Sequence, residues 1–192
     1  MRVIVPPAEP TTQDEPDSPG PDEPPSIHIQ LVCHADIAGT PIDGWLDREF
    51  ARAVCLSGVG LAQINLVIVA DDEMVQLHEQ YTGVAGTTDV LTFNMADPAE
   101  GGSPPGPAQA SEPIEADIIL CLDEAKRQAE QRDHEARHEL LLYAIHGLMH
   151  LLGEDDHEAA DYQRMHARED ELLKKMGFGP LFDPQRDTDP NP

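Results

Sequence analysis

Apolar and polar residues alternate over positions 27–33 with the period of a half-buried strand, and the pattern shifts to helical spacing over 46–56. Positions 62–70 read as a second strand. Asp71, Asp72 and Glu73 then place acids where a helix begins, which suits its dipole, and that helix is expected to run to about Tyr81. Strands are expected next over 89–95 and 114–122, and only helices after them, over 123–132, 135–152 and 158–176. Within 135–152, Leu140 to Ile145 are all apolar, as are Leu148, Met149, Leu151 and Leu152, so the segment is apolar almost all round. Such a helix belongs at the centre of the domain. Strands first and helices afterwards, without strict alternation, predict an α+β fold in which helices cover a small mixed β-sheet.

Three stretches fall outside this patterning. Positions 1–27 hold eight prolines and six acids, too little apolar surface to offset the entropy of ordering, and are expected to form a disordered, acidic, proline-rich tail. Positions 97–113, with five prolines and three glycines between two strands, are expected to be a flexible loop. Positions 183–192 are expected to be a second disordered tail. What remains, 28–182, is the length of one domain with a real core.

Composition changes the picture in two respects. Aromatic residues make up only 4% of the chain against 40% apolar residues, so Leu, Ile, Val, Ala and Met must build the core. The net charge of −25 is not confined to the tails, since 28 acids and 10 bases fall within 28–182, a difference of −18. That field repels nucleic acid at long range and speaks against a nonspecific RNA or DNA binder. Cys33, Cys55 and Cys121 are widely spaced among apolar neighbours, so reduced, buried thiols are expected rather than a disulfide framework. With no run near the ~18 apolar residues of a membrane span and no signal-like N-terminus, a cytoplasmic protein without membrane contact is expected.

The chemistry concentrates in the apolar helix. His146 and His150 stand four residues apart, hence one turn apart on one face, a spacing at which two imidazoles can hold one metal ion. Gly153 ends the helix, and the turn Glu154-Asp155-Asp156 brings His157 back toward the pair. Three neutral nitrogen ligands with a fourth position open is the coordination of a catalytic zinc, with Zn–N near ~2.0–2.1 Å. An unpaired imidazole would be costly to bury in such a helix, which favours a shared metal over isolated histidines. Position 147 is Gly, so the general-base Glu of a His-Glu-x-x-His peptidase is missing. Glu154, Asp155 or Asp156 could each take a proton or orient a histidine, and each could equally be a solvated acid.

The run from His146 to Gly153 followed by Asp156-His157 resembles the signature of the YbeY family, His-Gly-x-Leu-His-Leu-x-Gly-Tyr-Asp-His. Thr88-Asp89-Val90-Leu91-Thr92-Phe93 and Ala116-Asp117-Ile118-Ile119-Leu120 resemble two strands of that family, in the same order, and the likeness spans about 61–179. The resemblance implies a metal-dependent endoribonuclease of late ribosomal RNA processing, specific for single strands, acting at the 3′ end of the small-subunit RNA and in ribosome quality control. It implies one Zn2+ per chain on His146, His150 and His157, with Asp156 as the catalytic carboxylate, and as partners ribosomal RNA and the small ribosomal subunit; the acidic charge adds a basic ribosomal protein as a further expected partner. No DNA partner is implied. In two places the chain departs from the family. Glu154-Asp155 fill the space of a single Tyr, and Thr82 stands where the family carries an Arg.

No Lys or Arg occurs between Ala53 and Ala125, so a phosphate clamp would have to come from two later groups: Lys126, Arg127, Arg132 and Arg137, or Arg164, Arg168, Lys174 and Lys175. For each group the simpler expectation is a helix face whose cations pair with nearby acids. The loss of the Arg favours a second function, a ribosome assembly factor with structural zinc. A zincin-like peptidase is a third, weakened by Gly147.

Overall fold

A computed structural model describes residues 25–37, 40–42, 44–95, 113–154, 156 and 158–178. The expected tails, apart from 25–27, and the expected loop, apart from Pro113, lie outside these residues. Among the described residues the elements are β1 (Ser26–Cys33), α1 (Leu46–Leu56), β2 (Leu61–Val69), α2 (Asp71–Thr82), β3 (Val90–Asn94), β4 (Ile114–Cys121), α3 (Leu122–Arg132), α4 (Ala136–Leu151) and α5 (Ala159–Lys175). Strand β1 begins at Ser26, one residue before the strand that the apolar alternation predicts.

The sheet runs β1-β2-β4-β3, with β1, β2 and β4 parallel and β3 antiparallel to β4, so it is small and mixed as expected. Register aligns apolar residues across strands: Ala62 with Ile114, Ile64 with Ala116, Leu66 with Ile118 and Ile68 with Leu120. All eight face one buried cluster with Leu46, Phe50 and Val54 of α1, Leu140, Leu141, Ile145 and Leu148 of α4, and Met165, Leu172 and Leu173 of α5. Each fully buried Leu or Ile contributes about 1.5–3 kcal/mol of transfer free energy. The alternate residues face away, and there the sheet is polar at one end, where Asn65 donates to Asp117 Oδ1 at 2.7 Å. At the other end Val67, Leu91 and Ile119 pack around Val69, Met74 and Cys121.

Helix α4 lies over β3 and β4 and touches α1, α3 and α5. Its closeness to the sheet depends on Gly147, where a Cβ would come within 2.9 Å of Thr92 Oγ1 and 3.0 Å of Ile118 Cγ2. The helix ends in a Schellman motif: Gly153 takes a left-handed φ of 82°, its N–H donates to the His150 carbonyl, and the Glu154 N–H donates to the Met149 carbonyl.

The cysteines correct one expectation. Cys121 is buried, but Cys33 and Cys55 are exposed. The core stripe of α1 passes through Leu46, Phe50, Ala53 and Val54, so Cys55 is rotated outward, while Cys33 closes the edge strand β1.

Candidate metal centre

His146 and His150 project from α4 as the four-residue spacing requires, their rings edge to face with centroids 4.6 Å apart. The Nε2 atoms face each other at 3.0 Å. Their protons follow from what holds the opposite nitrogens. His146 Nδ1 lies 2.8 Å from Glu169 Oε1, and Glu169 is fully buried in α5. Burial alone would raise the Glu169 pKa, but hydrogen bonds from His146 and His166 outweigh it and hold the value at about 2. The ionised carboxylate only accepts, so His146 Nδ1 carries the proton. His150 Nδ1 lies 3.2 Å from the Glu154 carbonyl, another pure acceptor, so it too is the protonated nitrogen.

Both Nε2 atoms are therefore unprotonated when the rings are neutral, and their lone pairs at 3.0 Å repel unless a cation or proton stands between them. The His146 pKa is set by its acidic neighbours. Burial pulls it down, yet the Glu169 hydrogen bond and the charges of Glu169, Asp89 and Asp156 leave it raised. A tetrahedral ion with ~2.0–2.1 Å bonds sets two ligand nitrogens about 3.3–3.4 Å apart, so a shift of a few tenths of an ångström would seat one. The donor set fits a zinc-like ion.

Asp156 joins the same point, its Oδ2 3.7 Å from His146 Nε2, and the three ligand atoms all lie within 4.8 Å of one another. The His146 side chain is 16% exposed and that of Asp156 30%, so the centre opens to solvent on one side. His157 and Asp155 lie outside the described residues. The carboxylate of Glu154 turns away from the centre to pair with Arg168 of α5.

Patterning left two participants unrecognised, Glu169 and His166. His166 Nδ1 lies 2.6 Å from Glu169 Oε2, and its ring stacks on His146 at 6.0 Å with an 18° interplanar angle. The signal for Glu169 was present, because Met165, Leu172 and Leu173 define the buried stripe of α5 and residue 169 falls on it. An acid at a core position needs a partner.

The arginines of the two cationic groups pair with acids, as the simpler expectation had it. Arg127 holds Asp71 at 2.5 Å, Arg132 holds Glu139 at 2.9 Å, Arg137 holds Glu135 at 2.7 Å, and Arg164 holds Asp161 at 2.5 Å. Thr82 ends α2, its hydroxyl donating to the His78 carbonyl and accepting from the Val84 N–H. Position 147 faces the sheet rather than the histidines, so α4 has no place there for a peptidase Glu. No helix among the described residues is long and apolar enough to cross a membrane.

The family model "Endoribonuclease YbeY" matches residues 42–177. Relatives carrying that name include one from Thermobifida fusca, 34% identical over 142 residues and covering 72% of this chain and 89% of the relative. One from Desulfitobacterium hafniense is 33% identical over 138 residues, covering 71% and 87%. One from Mycobacterium sp. (strain KMS) is 37% identical over 118 residues, covering 59% of this chain, and there the match spans 64% of the relative's length. The solution structure of TM1509 from Thermotoga maritima matches 85% of this chain and 99% of its own with a TM-score of 0.48 and 22% identity. With the family model spanning 136 of 192 residues and relatives matched over most of both chains, this chain belongs to the Endoribonuclease YbeY family.

Proposed function

We propose that this chain is a zinc-dependent, single-strand-specific endoribonuclease of the cytoplasm, acting in maturation of the 3′ end of small-subunit ribosomal RNA and in ribosome quality control. One Zn2+ per chain is held by His146, His150 and His157. The relatives' name supports the reaction class, and the observation that carries the metal is the convergence of the His146 and His150 Nε2 atoms, 3.0 Å apart, with Asp156 beside them.

Bound there, zinc supplies Lewis acidity toward a phosphate oxygen and eases deprotonation of water at neutral pH. Glu169 holds the His146 ring by its Nδ1 proton, and the Glu154 carbonyl holds that of His150. Asp156, its Oδ2 beside the ligand nitrogens, accepts the water proton and returns it to the leaving ribose oxygen. The acidic surface confines productive contact to RNA presented by the small subunit or by a basic ribosomal protein.

A second reading, a non-catalytic zinc-containing assembly factor, draws support from Thr82 and from the arginines of α3, α4 and α5, whose guanidinium groups already hold carboxylates. The test is metal analysis of the purified protein beside cleavage of single-stranded RNA by wild type, chelated wild type, His150→Ala and Asp156→Asn. The nuclease reading expects one zinc per chain and cleavage lost in the other three, with zinc retained in Asp156→Asn. Stoichiometric zinc with no cleavage by wild type would establish the assembly factor instead.

A further inference from the structure

We propose that Arg168 is a positioning residue for the metal centre, acting through Glu154 to fix the ring of His150; this rests on the metal reading above. Glu154 is held at three points. Its N–H donates to the Met149 carbonyl at 3.0 Å, its carbonyl accepts the His150 Nδ1 proton at 3.2 Å, and its carboxylate pairs with the Arg168 guanidinium.

Two of those points are local to the end of α4, and only the third ties the residue to another element. Glu154 follows Gly153, whose left-handed backbone offers no side chain to restrict the turn. With the Arg168 contact in place, Glu154 cannot rotate about its own backbone without breaking an ion pair, so its carbonyl stays aimed at His150. The Glu154 side chain is only 15% exposed, whereas that of Arg168 is 48% exposed. Pairs this open add little to global stability, typically ~0.2–1 kcal/mol. The effect of this one lies in where it acts, on the acceptor that selects the His150 tautomer.

The neighbouring residue completes the picture. Glu169 holds the His146 ring by the same kind of contact, so consecutive residues of α5 set both ligand rings from behind, one directly and one through the turn. Helix α5 thereby serves as a backing plate for the two ligands that α4 presents. The pair is electrostatic and open to solvent, so its contribution should weaken with salt, whereas the buried Glu169 contact should not.

The experiment measures zinc affinity by competition with a chromophoric chelator for wild type, Arg168→Ala, Glu154→Gln, the double variant, and the charge swap Arg168→Glu with Glu154→Arg. Each single variant should bind zinc about 10-fold more weakly, at the lower end of what loss of a ligand's supporting contact does. The double variant should be no worse than either single one, and the swap should recover most of the affinity, because one shared contact is lost only once. Raising salt from about 0.05 to about 1 M should weaken wild type toward Arg168→Ala while leaving that variant nearly unmoved. The melting temperature of the metal-free forms should hardly differ, which separates positioning from folding. Wild-type affinity in both single variants, or additive losses in the double, overturns the proposal. Hydrogen exchange of the Glu154 amide in metal-free protein distinguishes this from failure of the metal reading itself. Should wild type take up no zinc, faster exchange in Arg168→Ala still supports the latch and unchanged exchange overturns it.

Discussion

Two carboxylates among the described residues are fully buried, Glu139 and Glu169, and their surroundings differ in one decisive way. Glu139 accepts from Arg132 Nη1 at 2.9 and 3.0 Å and from His134 Nε2 at 2.5 Å. Glu169 accepts from two histidines, His146 at 2.8 Å and His166 at 2.6 Å, and has no guanidinium among these partners. A guanidinium is charged at every accessible pH, so Glu139 is compensated permanently, and its pair fastens the end of α3 to the start of α4. An imidazole is charged only when protonated. Neutral histidines offer Glu169 hydrogen-bond dipoles, and full compensation arrives only when a positive charge sits at the far nitrogen of His146. A buried acid paired with arginine builds a scaffold, while one paired with histidines leaves the scaffold sensitive to what those histidines hold.

The sharpest break of the comparison is Glu139→Gln. It removes the buried carboxylate charge facing the Arg132 guanidinium, itself only 12% exposed, and should cost about 3–5 kcal/mol. The urea midpoint should fall equally with zinc and with chelator. Glu169→Gln should instead weaken zinc binding about 10–100-fold, with a smaller loss of about 1–2 kcal/mol in metal-free protein. Identical behaviour of the two variants, in either assay, would show that the identity of the base does not matter. A neutral probe on the same helix separates packing from charge. Gly147→Ala must displace Thr92 or Ile118, and should cost about 1–3 kcal/mol without altering the number of zinc ions bound.

The residues that make this contrast were unequally legible in the sequence. His146 and His150 stood out because a helix period places them together, and Gly153 because a positive φ at a helix end favours glycine. Strand and helix boundaries followed the apolar pattern to within a residue or two, since α1, β2 and β4 each bury a regular stripe and α4 is buried almost all round. The partners across the fold were not legible. Glu169 meets His146 from 23 positions away, and Arg127 meets Asp71 from 56 positions away, so the expectation that cations pair at helical spacing held for Lys126, Arg164, Lys175 and the Arg127–Glu124 pair but missed the tertiary partners. Gly147 was read as a missing general base, whereas the structure gives it a packing role that spacing alone cannot reveal. The exposure of Cys33 and Cys55 was missed because apolar sequence neighbours do not fix which way a side chain points.

The smallest expected effect tests the arginine half of the comparison at the surface. Asp71 opens α2 and is gripped by Arg127 Nη1 at 2.5 Å and Nη2 at 2.8 Å, with the Cys121 thiol donating to it at 3.1 Å. The Arg127 hydrogen bond outweighs the opposing effect of burial and lowers the Asp71 pKa to about 2, below the ordinary 3.8. A depressed value means that the folded state favours the ionised form, so the stabilisation is complete above the ordinary value and is lost as pH falls through about 2. The Asp71 side chain is 35% exposed and Arg127 44%, so solvent screening reduces the contribution to about 0.5–1 kcal/mol. Asp71→Asn should therefore be less stable than wild type by that amount at pH 7, and the two urea midpoints should converge between about pH 4 and pH 2. Since the pair is exposed and joins α2 to α3, zinc affinity should stay at the wild-type value. A loss at pH 7 as large as that of Glu139→Gln would mean that burial is not what makes the Arg132 pair costly to break.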